Sequence, residues 1–454
     1  MLLLKNCSSL LTVAALAALI SQSIISSAQA QGPVQIYRPP VTAPPVQIFQ
    51  APPMPPPQMP QIGAMGAPVD LSAIIRAAQS TSDGRYASAD TASFPQFEPR
   101  QVVVSWPLSQ QARAQALLAN SGGTVLNQVN LPNLGLSTAA LVFPTQEQAD
   151  AALLALQAAR PPITADKHAI VYPMQTGSSS AGKQYALELL KVQTPAQTRV
   201  QSAVVLGFID TEIASADGLA TASFKSKRFF ADTDKPAPTE HGSGVAAILA
   251  GKNDAGFQGL AQGVNLRAAG VMREVAPGIN ATNTLLVAQA LEWLISENVQ
   301  VVNLSLGSAA DAVLAAVVSK ANALGIVLVA AAGNGGSTAA PSYPAAYPGV
   351  IAVTAVDAGK QLYARANRGP YVALAAPGVD VWVPVGTTGK GKYMSGTSFA
   401  APFVAAAIAQ KLAANPVAKG PQTSSTVIKN LCAAALPLGA TSPSPEFGCG
   451  LMQL

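Results

Sequence analysis

"VQVVNLSLGSAADAVLAAVVSKANALGIVLVAAAGN", residues 299–334, decides the fold. VQVVNLSL predicts a strand, DAVLAAVVSKANALG a helix, and IVLVAAA a second strand. Upstream, NTLLVAQALEWLISEN places Val287, Leu291, Leu294 and Ile295 on one helical face. Further upstream, AVVLGFI (203–209) is continuously apolar, as strands buried on both faces are. This alternation predicts an α/β fold, a doubly wound parallel sheet flanked by helices. Ligands of such sheets gather at the carboxyl ends of the strands.

Four residues stand there. Asp210 follows the apolar run in FIDTEI; taken alone, a strand-end Asp caps or turns the chain. His241 opens HGSGVAAILAG, where Val245, Ile248 and Leu249 can face a core, and a lone His at a helix start is ordinarily structural. Asn334 follows IVLVAAAG; Asn before Gly is ordinarily a turn, but its amide also suits a developing oxyanion. Ser398, in MSGTSFAAP, lies where flexible sequence turns into an alanine-rich helix. Ser is a common helix cap. It is also a nucleophile if a neutral imidazole lies within reach, and a helix N-terminus adds positive potential for an oxyanion. Pro402 is tolerable in the first turn or so, where amides lack helical partners, which sets the helix start near the serine. The other histidine, His168, has no Ser or Gly cluster near it and is read as a surface residue.

GFIDTEI, HGSGVAAILAG, VVNLSLG, VAAAGN, YPAAYPGVIAVTAV and SGTSFAAP together resemble the subtilisin-like serine proteases, over residues 180–454. The Asp–His–Ser order agrees; an α/β-hydrolase would need Ser before His and a Gly where Ala400 stands. The resemblance implies peptide-bond hydrolysis through an acyl-enzyme. Ser398 would attack, His241 carry the proton and Asp210 orient it. Asn334 and the Ser398 amide would form the oxyanion hole. Ser305, Leu306 and Gly307 would pair with the substrate backbone and, with Ala331, Ala332 and Gly333, line the main specificity pocket. These small uncharged side chains predict apolar residues before the scissile bond. Tyr343-Pro344 sits where relatives hold a cis proline. The chemistry requires no cofactor. Asn253-Asp254 lies in a loop that holds calcium in relatives but looks shorter here, so no metal is assigned. One departure is Glu212, which stands where the family has glycine. Its carboxylate either raises the local pKa values by repelling the charge on Asp210 or points away from it. The alternative is an inactive subtilase fold used for binding.

Upstream of residue 180 the chain changes character. Residues 1–30, with Lys5, an apolar run from Leu10 to Ile20 and Ala28-Gln29-Ala30, read as a signal peptide; a retained anchor is the rival. Secretion or a periplasmic location follows, with no membrane span after cleavage. Residues 31–95 are Pro-rich and then polar, a spacer with a PVQIY/PVQIF repeat; residues 71–79 read as a short helix within it. Residues 96–175 read βαββαβ, which suits a small ferredoxin-like α+β domain. The resemblance implies that this domain is a propeptide and intramolecular inhibitor, with MQTGSSSAGKQ as its tail and self-processing near residues 174–183. A permanently attached domain is the alternative. After Cys7 is lost, Cys432 and Cys449 remain as one disulfide or two free thiols. The chain is 49% hydrophobic and 11% charged, with a net charge of +5, or 26 − 22 = +4 without Lys5. Those charges form no basic block, which excludes nucleic acid as a partner and leaves proteins or peptides as substrates.

Overall fold

The computed structural model describes residues 95–159, 163–173, 176–177, 185–200, 204–252, 257–384 and 391–454. The signal, the Pro-rich segment, the 71–79 helix, Asn253-Asp254 and most of the expected propeptide tail lie outside them.

The first elements are β1 (Phe97–Pro107), α1 (Gln111–Ala119), β2 (Thr124–Leu131), β3 (Leu136–Val142), α2 (Gln146–Ala158) and β4 (Thr164–Pro173). Their strands lie in the order β2-β3-β1-β4, each pair antiparallel. Period-2 alternation sorts β1: Val102, Val104 and Trp106 face Ala149, Leu153 and Leu156 of α2. Thr145 caps α2, its Oγ1 accepting from Gln148 N at 3.2 Å.

Then follow β5 (Thr176–Gly177), α3 (Tyr185–Leu189), β6 (Val205–Asp210), β7 (Ser223–Arg228), α4 (Glu240–Ala250), β8 (Asn265–Gly270), β9 (Arg273–Ala276), β10 (Ile279–Asn283) and α5 (Thr284–Ser296). After them come β11 (Val301–Leu304), β12 (Leu306–Gly307), α6 (Ala312–Ala323), β13 (Val327–Ala331), β14 (Val350–Val356) and β15 (Val372–Pro377). The last elements are β16 (Val381–Pro384), β17 (Gly391–Ser395), α7 (Thr397–Ala414) and α8 (Thr423–Ala434). Seven strands form one parallel sheet, β15-β14-β13-β11-β6-β8-β7. The chain order reverses at β6, between β11 and β8, and in such sheets ligands bind outside the carboxyl ends of the strands at that point. Two apolar layers cover the sheet: α4 and α7 pack on one face, α5 and α6 on the other. At Gly207 an added Cβ would lie 2.8 Å from Leu294, so the missing side chain lets α5 approach β6. α7 is long and apolar enough to cross a membrane, but it is mostly buried here as a core helix.

The smaller sheet joins the larger unit through main chain. β4 pairs antiparallel with β10 (Val171 opposite Thr282) and with β12 (Pro173 opposite Leu306, Tyr172 opposite Gly307). Carboxylates complete the join. Glu292 accepts from Asn133 N and Nδ2 at 2.7 Å each and from Leu134 N at 3.1 Å. Asp166 accepts from Ala312 N at 2.8 Å, at the start of α6.

His168 overturns its surface reading. It is buried on β4, Nδ1 lying 2.9 Å from Gln101 Oε1. Burial, with Arg273 adding to it, pulls its pKa down to about 4. Cys432 on α8 is bonded to Cys449, with Cα atoms 5.4 Å apart, and the Tyr343-Pro344 peptide is cis.

Candidate active site

Asp210 ends β6 with both its oxygens inside the protein. Oδ1 lies 2.6 Å from His241 Nδ1 and accepts from Thr211 N at 2.7 Å. An ionised carboxylate only accepts, so the ring holds its proton on Nδ1 and leaves Nε2 basic. His241 Nε2 is buried and makes no hydrogen bond. The ring enters on the first turn of α4. Gly242 lets that turn close on the strand end, since a Cβ there would lie 2.5 Å from Thr211 O. The imidazole rests 5.2 Å, centroid to centroid, from Phe399, the residue after Ser398.

Ser398 is the second residue of α7 and is fully buried. Gly396 precedes the helix at φ 143°, a conformation that favours glycine. Ser398 Oγ donates to Ser305 O at 3.2 Å rather than to His241. Catalytic hydrogen bonds are often unmade before substrate binds.

Asn334 follows β13. Its Oδ1 accepts twice from Thr397, from N at 3.0 Å and Oγ1 at 2.9 Å. Thr397 Oγ1 in turn accepts from Gly333 N at 3.2 Å. With Oδ1 tied down, the amide nitrogen must point elsewhere, and Nδ2 is buried without a partner. An unused buried donor carries a cost of about 1–3 kcal/mol. An acceptor placed there would recover that cost. Thr397 was not singled out in the sequence; its signal was only its place between Gly396 and Ser398.

The remaining expected residues fall around this group. Leu306 and Gly307 form β12, already paired with β4, and Ser305 lies under Ser398. Ala331, Ala332 and Gly333 are buried at the end of β13. Cys432 and Cys449 stand apart, on the C-terminal segment. Glu212 is held by Arg228, whose Nε donates to Oε1 at 3.1 Å and whose terminal nitrogen donates to Oε2 at 2.7 Å. Among the described residues, no group of three His, Cys, Asp or Glu is placed to hold a metal ion.

A family model, the Subtilase family of S8 peptidases, matches residues 201–450. Subtilisin DY of Bacillus licheniformis is 34% identical over 60% of this chain and 96% of its own length. A thermostable alkaline protease of Halalkalibacterium halodurans is 40% identical over 36% of this chain, and the minor extracellular protease Epr of Bacillus subtilis 30% over 61%. The chain spans only 45% and 42% of the length of those two relatives. Among solved structures, fervidolysin from Fervidobacterium pennivorans, a keratinolytic enzyme related to subtilisin, superposes with a TM-score of 0.64 at 21% identity. That match covers 82% of this chain and 61% of fervidolysin. The epidermin leader peptide processing protease of Staphylococcus aureus gives 0.57 at 17%, covering 78% and 97%. Both likenesses are likenesses of fold.

Proposed function

The chain belongs to the subtilase family, and from that premise we propose that it is an exported serine endopeptidase acting through an acyl-enzyme. The observation that carries the reading is the 2.6 Å contact between Asp210 and His241, with the unpartnered Asn334 amide lying beside the start of Ser398's helix.

Ser398 Oγ leaves Ser305 O and gives its proton to His241 Nε2 as it attacks the scissile carbonyl. Asp210 stabilises the imidazolium. Asn334 Nδ2 and the Ser398 amide receive the oxyanion, helped by the N-terminus of α7. His241 then protonates the leaving amine, and water repeats the sequence to release the acid. The small side chains of Ala331, Ala332 and Gly333 favour an apolar residue before the cut. A peptide library read by cleavage site tests this, and a clear preference for Lys or Arg would refute it.

The N-terminal unit acts as the chain's own inhibitor. Tyr172 and Pro173 occupy β12 as a substrate strand would, while Thr176–Gly177 pair with Ser395 and Met394 just ahead of Ser398. The chain is thus held on both sides of the nucleophile, which supports self-cleavage between Pro173 and Thr176. Export rests on the apolar N-terminus and on extracellular relatives such as Epr.

The experiment compares the full chain with Ser398→Ala. Fluorophosphonate labelling, casein hydrolysis and shortening to a start near residue 175 are expected only in the unmodified chain. A folded, unmodified chain that neither labels nor shortens would return the fold to the inactive binding reading.

A further inference from the structure

α7 contains a proline where a helix can least conceal it. Pro402 is the sixth helical residue, one turn on from Ser398. It therefore lies past the opening amides that lack helical partners, contrary to the sequence reading. In an α-helix the carbonyl of residue 398 bonds the amide of residue 402, and proline has none. The missing donor belongs to the carbonyl of Ser398 itself.

That carbonyl is not orphaned. Ser305 Oγ donates to it at 2.7 Å. Asn303 Nδ2 donates to the same Oγ at 2.9 Å, which leaves the Ser305 proton no role but to point at Ser398. All three residues are buried. The reciprocal bond, Ser398 Oγ to Ser305 O, closes a two-way link across 93 residues of sequence.

We propose that Ser305 is a positioning residue for the nucleophile: its hydroxyl stands in for the amide that Pro402 lacks and fixes the orientation of Ser398, with Asn303 holding that hydroxyl in place. The proposal rests on Ser398 being the nucleophile. Ser305 immediately precedes β12, so the strand that receives substrate and the residue that attacks it share one anchor. Pro402 makes this work, because a helix with its full set of bonds would give the Ser398 carbonyl no reason to reach outside α7.

The test is a double-mutant cycle between Ser305→Ala and Pro402→Ala, read by the rate of fluorophosphonate labelling and by kcat and KM on a peptide. In the parent background, Ser305→Ala is expected to lower kcat and the labelling rate about tenfold with KM nearly unchanged, the scale of one buried hydrogen bond. With Pro402→Ala the helix regains an amide for Ser398 O, and the same Ser305→Ala change is expected to cost under about threefold. Equal losses in both backgrounds would make the hydroxyl ordinary packing and overturn the proposal. So would an unchanged rate in Ser305→Ala. If Ser305→Ala alone does not fold, cooperative melting restored by Pro402→Ala supports the substitution of hydroxyl for amide, and a double variant no more stable than the single overturns it. A parent chain that never labels overturns the nucleophile reading and this role with it; a parent that labels while the cycle is additive overturns this role alone.

Discussion

The chain has two histidines, and both are buried. His241 Nδ1 faces Asp210 Oδ1 at 2.6 Å; His168 Nδ1 faces Gln101 Oε1 at 2.9 Å. Each partner accepts, so each leaves the far nitrogen unprotonated in the neutral ring. The partners differ in charge. A carboxylate stabilises the imidazolium that a general base must become. An amide cannot, and at His168 burial and the Arg273 cation oppose protonation instead. Burial alone therefore does not separate a structural histidine from one proposed as a general base. The charge of the group behind the ring does.

Giving His241 the kind of partner that His168 has should produce the largest effect. Asp210→Asn keeps the shape of the site but lets the ring hold the wrong tautomer and leaves the imidazolium unsupported. The expected loss in kcat is on the order of 10⁴, the size seen for this exchange in another serine protease. Melting should change little. Steady-state hydrolysis and thermal unfolding of the same sample check it. A loss under about tenfold would mean that Asp210 only places the ring.

The contrast between these histidines was only half legible in the sequence. Asp210, His241, Asn334 and Ser398 drew notice because each interrupts an apolar or periodic run at a strand or helix end, and the structure places Asp210 beside His241 and Asn334 beside Thr397. The same periodicity gave the parallel sheet and the βαββαβ order. His168 was misread because the absence of a Ser or Gly cluster around it says nothing of burial, and β4 takes it in as a strand residue. Its burial comes from β10, which pairs with β4 from more than a hundred residues downstream. The direction of Glu212 likewise depended on where Arg228 ends β7. Thr397's double grip on Asn334 and the Ser305–Ser398 link join segments 63 and 93 residues apart, where local pattern carries no signal.

A second exchange runs the other way. The folded pKa of His168 is lowered to about 4 from an ordinary 6.5, so the unfolded chain binds the extra proton first. Its contribution to stability is complete above about pH 6.5 and is lost as pH falls toward 4. In Ser398→Ala protein, chosen so that the proposed self-cleavage cannot interfere, the step from pH 7 to pH 4.5 is expected to cost about 2 kcal/mol through this residue. His168→Gln should remove that part of the slope. The difference between the two curves cancels the nearby Glu98, whose pKa burial raises. Gln101→Glu supplies the missing negative charge and should raise the pKa of His168, flattening the curve without making the residue catalytic. Melting temperature against pH decides it; curves that stay parallel would place the acid sensitivity elsewhere.

The smallest effect tests whether His241 answers to one carboxylate or two. Glu212 is two residues from Asp210, yet its oxygens are held by the Arg228 fork and it is partly solvent-exposed. An ion pair of that exposure is screened by solvent and contributes little to stability. Glu212→Gln removes its charge while keeping its size. The field at His241 then comes from Asp210 as before, and kcat/KM is expected to stay within about twofold, with the acid limb of its pH profile unmoved. A displaced acid limb would show that Glu212 charge reaches the imidazole through the Thr211 turn. The pairing with Arg228 would then be a screen that the site depends on, and Arg228→Gln should displace the limb further in the opposite direction.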